Sequence, residues 1–357
     1  MTARVLCLLG IVLVACSQSH PTAAVSPTEQ TTSSPVSGPM PAVDLPVTRV
    51  DFSCRLPVVT VNPRSSFPDL HGGFITFPAG QLADDPNGTM PVRGFPHDDY
   101  ATTVSPVIYG DGGGFYDRAA KRWVPASPAA TLADGSAYAY VTADSSAQIV
   151  DVASGRVRTF ELKPLDRPAV LDFSTRGVFL YQPSGMGGPG EGVWLLNLIT
   201  GSVTLVRAVH RLWAVLDGKA WVARLDPRDK TVWPPIDIQP ADSLAEVDLA
   251  TGAETQWFYR AGAYSWMIGF ASGRPLISVG SDVRLIDQPG SGGKLIYSGS
   301  LTFDGYFQHY QGDGDRIWLG NERGIYLYRP DRGLQKVFAY NATPGSGGDI
   351  HPAGICL

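Results

Sequence analysis

Between about residue 105 and residue 340 the chain repeats one arrangement of apolar and polar positions. In "AYAYVTADSSAQIVDVASGRVRTFEL", Ala137 to Leu162, apolar residues alternate with polar ones, break at a loop, resume as far as Asp151, turn at Gly155 and alternate again. Alternation with period two puts every second side chain on one face, as in a half-buried strand. The Asp and Gly supply a tight hairpin turn. The same order recurs as "GVFLYQ" with "VWLLNLITGSVTLVRA", "KAWVARL" with "LAEVDLATGAETQWFYR", and "PLISVG" with "DVRLIDQPGSGGKLIYSG". Two flanking copies are "SPVIYG" with "GGFYDRAAKRWVPA" and "RIWLGN" with "GIYLYRPDRGLQKVFAY". Most of these six hairpins follow a further apolar strand and turn: "ATLADG", "AVLDFSTRG", "LWAVLDG", "WMIGFASG" and "YFQHYQGDG".

Four strands per unit, at a spacing of about 34 to 51 residues, match the blade of a β-propeller. The predicted class is all-β, with six blades. "TLADGSAYAYVTADSSAQIVDVASGRVRTF" resembles a blade of the six-bladed TolB-like propeller family, with its DG turn and D-x-x-x-G hairpin. The resemblance runs from about residue 70 to 340 as a degenerate pattern and implies a fold, not an activity. Outside the six units lie "RVDFSCRLPVVTVN" and "NATPGSGGDIHPAGICL". A closed ring must bring these ends together, and pairing of Leu56 to Val61 with the C-terminal tail would cover the seam. The alternative is a seventh blade assembled from both ends.

Composition agrees with many short strands: 44% of residues are hydrophobic, 17% are charged, and there are 40 glycines and 29 prolines in 357 residues. A net charge of -5 without any Lys/Arg cluster offers nothing to a phosphate backbone, so no nucleic-acid partner is expected. Arg4 precedes the apolar run Val5 to Ala15, too short to span a bilayer and of the size of a signal-peptide core. The run ends in "LVAC", which resembles the bacterial lipobox. That resemblance implies cleavage before Cys16 and lipid on its sulfur, hence a protein held to a bacterial membrane outside the cytoplasm; an ordinary secretory signal is the alternative. The segment from Cys16 to residue 48 is rich in Ser, Thr and Pro and reads as a spacer, with the propeller domain spanning 49–357. Cys7 leaves with the signal and Cys16 carries lipid, so Cys54 and Cys356 remain. In an oxidising compartment they are expected to form a disulfide rather than stay as two buried thiols.

Recognition is expected on the face carrying the connections between blades and the loops between second and third strands. Two of those loops are long, Pro183 to Gly192 and Asp226 to Asp242, and Trp233 in the latter is a candidate anchor, or else a residue that packs on its own blade. His210, Arg211, Tyr264, Trp266, Asp304 and Tyr306, with His309 further in, enter the inner strands from that face and are the other binding candidates. Neither a G-x-S-x-G elbow nor an H-E-x-x-H pair is present. His97, Asp98 and Asp99 fall in a Pro- and Gly-rich insertion and read as a solvated loop, and "GDGDR" (Gly312 to Arg316) reads as turn chemistry rather than a calcium loop. "EVDLATGAETQW" is similar to one repeat of the pyrroloquinoline-quinone dehydrogenases, but the other copies lack its tryptophan and the vicinal cysteines are missing, so no cofactor is expected. The favoured function is a tethered module binding a ligand, glycan or protein at the envelope. The alternative is a metal-assisted hydrolase or lactonase with its site at the channel mouth, although no residues nominate a metal.

Overall fold

A computed structural model of the chain describes residues 45–61, 69–91, 114–142, 144–166, 168–182, 191–224, 242–263, 265–299, 309–310, 313–340 and 350–357. The repeated hairpin turns have one chemistry. Asp151 Oδ1 accepts the Ser154 backbone N–H and hydroxyl, both at 2.7 Å, and Gly155 at φ 68° returns its N–H to the Asp151 carbonyl. Asn197 does the same for Ile199 and Thr200 ahead of Gly201, and Asp248 for Ala250 and Thr251 ahead of Gly252. The short side chain satisfies donors that the turn would otherwise leave open, and the left-handed position takes glycine without steric cost.

These turns join strands into sheets, one per repeat. The first blade shows β4 (Phe115–Asp117) and β5 (Arg122–Val124), and the second β6 (Ala137–Val141), β7 (Ser146–Asp151) and β8 (Val157–Glu161). The third contains β9 (Ala169–Ser174), β10 (Gly177–Gln182), β11 (Gly192–Leu196) and β12 (Val203–Arg207). The fourth contains β13 (Leu212–Leu216), β14 (Lys219–Arg224), β15 (Ser243–Asp248) and β16 (Glu254–Tyr259). In the fifth, β17 (Ser265–Ala271), β18 (Arg274–Val279), β19 (Asp282–Leu285) and β20 (Lys294–Ser298) are joined by β21 (His309–Tyr310), which runs parallel to β17. The sixth shows β22 (Ile317–Asn321), β23 (Gly324–Arg329) and β24 (Gly333–Ala339). Within each blade burial falls outward: all of β10 is buried, whereas β8 and β12 are mostly open.

Both chain ends make a further four-stranded sheet. It contains β1 (Cys54–Val61), β2 (Asp69–Phe77) and β3 (Gln81–Pro91), with β25 (Ile350–Pro352) on the free side of β1. The expected seam pairing is present: Val58 faces Pro352, Val59 faces His351 and Thr60 faces Ile350. Among the described residues each of the six repeats has its own sheet, and the two chain ends add one sheet of mixed origin that covers the seam between the last repeat and the first.

Apolar clusters lie between neighbours all the way round. Trp221 and Phe258 pack with Phe270 and Ile277 between the fourth and fifth blades. Trp318 and Leu327 pack with Leu56 and Val58 between the sixth blade and the sheet of the ends. Val59 and Phe74 meet Trp123 of the first blade. Every blade thus buries both broad faces against the next, which is why inner strands read as near-continuous apolar runs. The described part of "GDGDR", Asp313 to Arg316, is a turn: Asp313 bridges Arg316 and its Oδ2 accepts the Trp318 indole N–H at 2.9 Å.

The seam is fastened at several points. Cys54 and Cys356 form a disulfide with Cα atoms 5.4 Å apart, across 302 residues. Beside it Leu357 and Arg55 exchange two backbone hydrogen bonds, and the Ala353 carbonyl accepts the Tyr116 N–H at 2.8 Å, carrying the tail on to the first blade. Asp51 pairs with Arg329 at 2.8 Å and Arg332 at 2.6 Å in the sixth blade. A Cβ on Gly320 would stand 2.3 Å from the Ile350 carbonyl oxygen, so β25 can cross β22 only because that position is glycine.

Two expectations follow from this seam. Cys54→Ser and Cys356→Ser should lower the melting temperature by similar amounts, and the double variant should add little, because either change removes the whole cross-link. The entropic model puts the loss at up to roughly 5 kcal/mol for so long a loop. Calorimetry of the three variants and thiol alkylation of the native protein check this; two freely alkylatable cysteines would refute the bond. His351, 2% exposed in β25, has its pKa lowered by burial from 6.5 to about 3. The unfolded chain takes up that proton below about pH 6.5 and the folded chain does not, so this stability is complete above pH 6.5 and is lost progressively as pH falls toward 3. The melting temperature of wild type should fall more steeply between pH 7 and pH 4 than that of His351→Gln. Parallel slopes would show that His351 does not govern the acid limb.

Candidate functional site

Among the described residues, the inner turns of the second to fifth repeats, with Phe115 and Asp117 of the first, surround a cavity of about 840 Å³. Its wall is contributed by successive repeats: Asp117 at the end of β4, Thr131 to Asp134 before β6, Asp172 to Arg176 from the end of β9 into its turn, Val215 to Gly218 from the end of β13 into its turn, and Phe270, Ser272 and Gly273 at the end of β17 and in its turn. Aromatic rings of Phe115, Phe173, Phe179 and Phe270 form apolar parts of the wall. Short turns leave room at the centre of a ring, so the cavity follows from the blade geometry rather than from a dedicated loop.

The charge on this wall is uneven. Four carboxylates, Asp117, Asp134, Asp172 and Asp217, line it with one guanidinium, Arg176. Asp134 is spent on its turn, accepting the Ser136 N–H at 2.9 Å and hydroxyl at 2.6 Å. Asp172 is different. Burial, and then the neighbouring Asp217 carboxylate, push its pKa up to about 6, and the Phe173 backbone N–H only partly offsets them. A half-buried carboxylate held against a second one, with no cation bonded to either among the described residues, is a stored electrostatic cost. Arg176 lies elsewhere on the wall, its guanidinium 5.4 Å from the centre of the Phe179 ring.

Of the residues named from the sequence, His210, Arg211 and Trp266 belong to the described structure and none lines this cavity. His210 and Arg211 sit where β12 passes to β13. They meet around Glu191, which precedes β11 and whose side chain is 8% exposed. Glu191 Oε2 is 2.7 Å from His210 Nδ1, Oε1 accepts the Arg211 backbone N–H at 2.7 Å, and the Tyr181 hydroxyl donates to Oε1 as well. The His210 ring is 75% exposed, so the buried acid fixes one nitrogen and leaves the other facing outward. Trp266 is partly buried in β17 opposite Ser278. Trp233, Tyr264, Asp304 and Tyr306 lie outside the described residues, as do Cys16 and the His97, Asp98, Asp99 cluster. His309 is placed by its backbone alone, opposite Phe270.

Sequence reasoning did not single out Glu191, Asp172 or Asp217. The signal for the last two was present: the inner turns "ADG", "LDF" and "LDG" place an aspartate at nearly the same point of three neighbouring repeats. Read one at a time they are turn residues; arranged in a ring they converge.

No protein-family model matches the chain, and no curated protein matches it in sequence. Among solved structures it is similar to BamB from Moraxella catarrhalis, at 14% identity over 58% of this chain and 59% of that one, with a TM-score of 0.33. It is also similar to TolB from Acinetobacter baumannii, at 12% identity over 79% of this chain and 69% of that one, with a TM-score of 0.34. The chain thus spans about three fifths of the BamB chain it matches.

Ionisation of Asp172 costs the folded protein stability. The folded pKa of Asp172 lies above the ordinary carboxylate value of 3.8, so the destabilisation is absent well below pH 3.8, small at pH 4, grows as pH rises toward 6 and is complete above that. Asp172→Asn should therefore stabilise the protein at pH 8, by up to about 3 kcal/mol, and leave it nearly unchanged at pH 4. Denaturant titrations at the two pH values check this. Equal effects at both would show that the carboxylate charge is not the source of the cost.

Proposed function

We propose that the chain is an extracytoplasmic β-propeller, tethered to a bacterial membrane through Cys16, that binds a ligand or a protein partner in the cavity of its inner turns. The observation that carries this reading is the cavity itself: about 840 Å³, walled by five repeats and furnished with aromatic rings and charged groups that the fold does not use up. The location is supported by the disulfide between Cys54 and Cys356, which suits an oxidising compartment, and by the apolar run that ends at Cys16. On this reading residues 1–15 are a removed signal and 16–48 a spacer that holds the ring, 49–357, away from the bilayer.

The hydrolase alternative has less support. Among the described residues no three His, Cys, Asp or Glu side chains converge as a metal-ligand set. The Glu191–His210 pair orients an imidazole, yet nothing beside it among the described residues is placed to act as a nucleophile or to hold a developing oxyanion.

The test has two arms. The full chain in detergent is screened by thermal shift against amines, amino acids, sugars and carboxylates, beside Ala133→Trp, which puts a large side chain on the exposed rim of the cavity. At least one class should raise the wild-type melting temperature by about 2 °C or more at saturation, with the rise lost in Ala133→Trp. Silence across the panel, or responses that survive the blocked rim, would remove the cavity as the site. Separately, Cys16→Ser should be released from membranes or accumulate unprocessed; a variant processed and retained like wild type would end the tether reading.

A further inference from the structure

We infer that the inner-turn cavity takes a positively charged organic group, a primary ammonium or a guanidinium carried on an apolar body. This rests on the cavity being the ligand site and adds the chemistry it selects.

Three observations support it. First, Asp172 and Asp217 come from neighbouring blades, face one cavity and repel each other, and neither is hydrogen-bonded to a cationic side chain among the described residues. A cation between them would turn a repulsion into two attractions. Second, Asp117 lines the same cavity from a different blade and is only 8% exposed. Its Oδ1 accepts the Ala120 N–H at 2.8 Å, while Oδ2 has no hydrogen-bond partner among the described residues. That second oxygen is not sealed in the core, so a donor entering the cavity can reach it. Gly135 keeps the space beside it clear, since a Cβ there would fall 2.5 Å from Oδ2. Third, the aromatic part of the wall already accepts a cation: the Arg176 guanidinium lies over Phe179.

A divalent metal ion is a poorer fit. It wants six or more oxygen ligands for calcium or a near-octahedral shell for magnesium, and the carboxylates here do not gather as such a set. An anion would meet four carboxylates against one guanidinium. The volume exceeds what a lone ammonium fills, and the phenylalanines favour an apolar stem behind the charge. Such a group can come from a free polyamine or from the lysine or arginine side chain of a protein partner, and both present the same chemistry.

Isothermal titration of the full chain in detergent at pH 8 decides the matter. The probes are spermidine, agmatine, the uncharged butane-1,4-diol, succinate, calcium ion and a short Lys/Arg-rich peptide. Cationic probes should bind, and the diol and succinate should not. Asp172→Asn and Asp217→Asn should each weaken cation binding roughly ten- to a hundredfold, the usual worth of a charge-assisted hydrogen bond, while Glu322→Gln, an exposed charge in the turn between β22 and β23, leaves it unchanged. A merely structural role for Asp172 predicts a more stable protein with unchanged cation affinity. Peptide affinity at least tenfold above that of spermidine identifies a partner's side chain as the source; the reverse order identifies a free polyamine. Equal binding of the diol or succinate, unchanged affinity in both variants, binding of calcium alone, or no cation binding would overturn the inference. If cations fail while another class still responds at the unblocked rim, only the charge assignment falls; if every class fails, the binding reading falls with it.

Discussion

Closure of the ring is the constraint on which everything else rests. Each blade covers both neighbours, so the first and last blades have no complete core until the sheet of the ends joins them. That contact joins residues about 300 positions apart, and loop closure over such a distance costs entropy before any apolar surface is gained. The chain meets the cost with one mixed sheet. β25 completes β1, the Asp51 pairs hold the sixth blade, Tyr116 holds the first, and the disulfide makes the closure covalent. A thiol one residue from the terminus is explained by this: the tail is the inner strand of the seam.

The cavity is a consequence of the same closure. Inner strands converge on an axis, and their short turns cannot fill the space they surround. Turn chemistry then determines what the space contains. An aspartate at a tight turn normally directs its oxygen to backbone donors, as Asp134, Asp151 and Asp248 do. Asp172 lies inside β9, two residues short of its end, where only the Phe173 N–H reaches it. Its charge is therefore left to the cavity. A place in the strand rather than in the turn separates an aspartate available to a ligand from a structural one.

The fold was legible in the sequence because it is periodic. Alternation marked the strands, the D-x-x-S/T-G turns marked the hairpins, and two cysteines flanking the repeats marked the seam. The strands beside the seam were harder to read: "CRLPVVTV" carries its own strand signal, but its partners β2 and β3 contain Gly72, Gly73 and a Pro-Asn-Gly stretch that weaken it. The site was less legible. Candidates were chosen for size and chemistry on the face where loops are long, and His210 and Arg211 do gather there, around a glutamate that no local motif announces. The carboxylates on the opposite face come from separate repeats, and convergence across repeats is a property of the closed ring, invisible in any one unit.

The contrast between the two faces bears on which of them is used. At Glu191 every strong acceptor has its donor: a hydroxyl, a backbone N–H and an imidazole satisfy it, and the arrangement is self-consistent without a ligand. At Asp172 and Asp217 the local rule is broken, because two acids share a poorly solvated wall and destabilise the fold that holds them. Sequences whose choices otherwise agree from turn to core tend to depart from that agreement where function requires it. An isolated departure could be drift, yet here the neighbouring Asp117 also keeps an oxygen without a donor, and Gly135 keeps the approach to it open. Three carboxylates from three blades left incomplete toward one space are more simply explained by a missing positive charge than by three independent accidents.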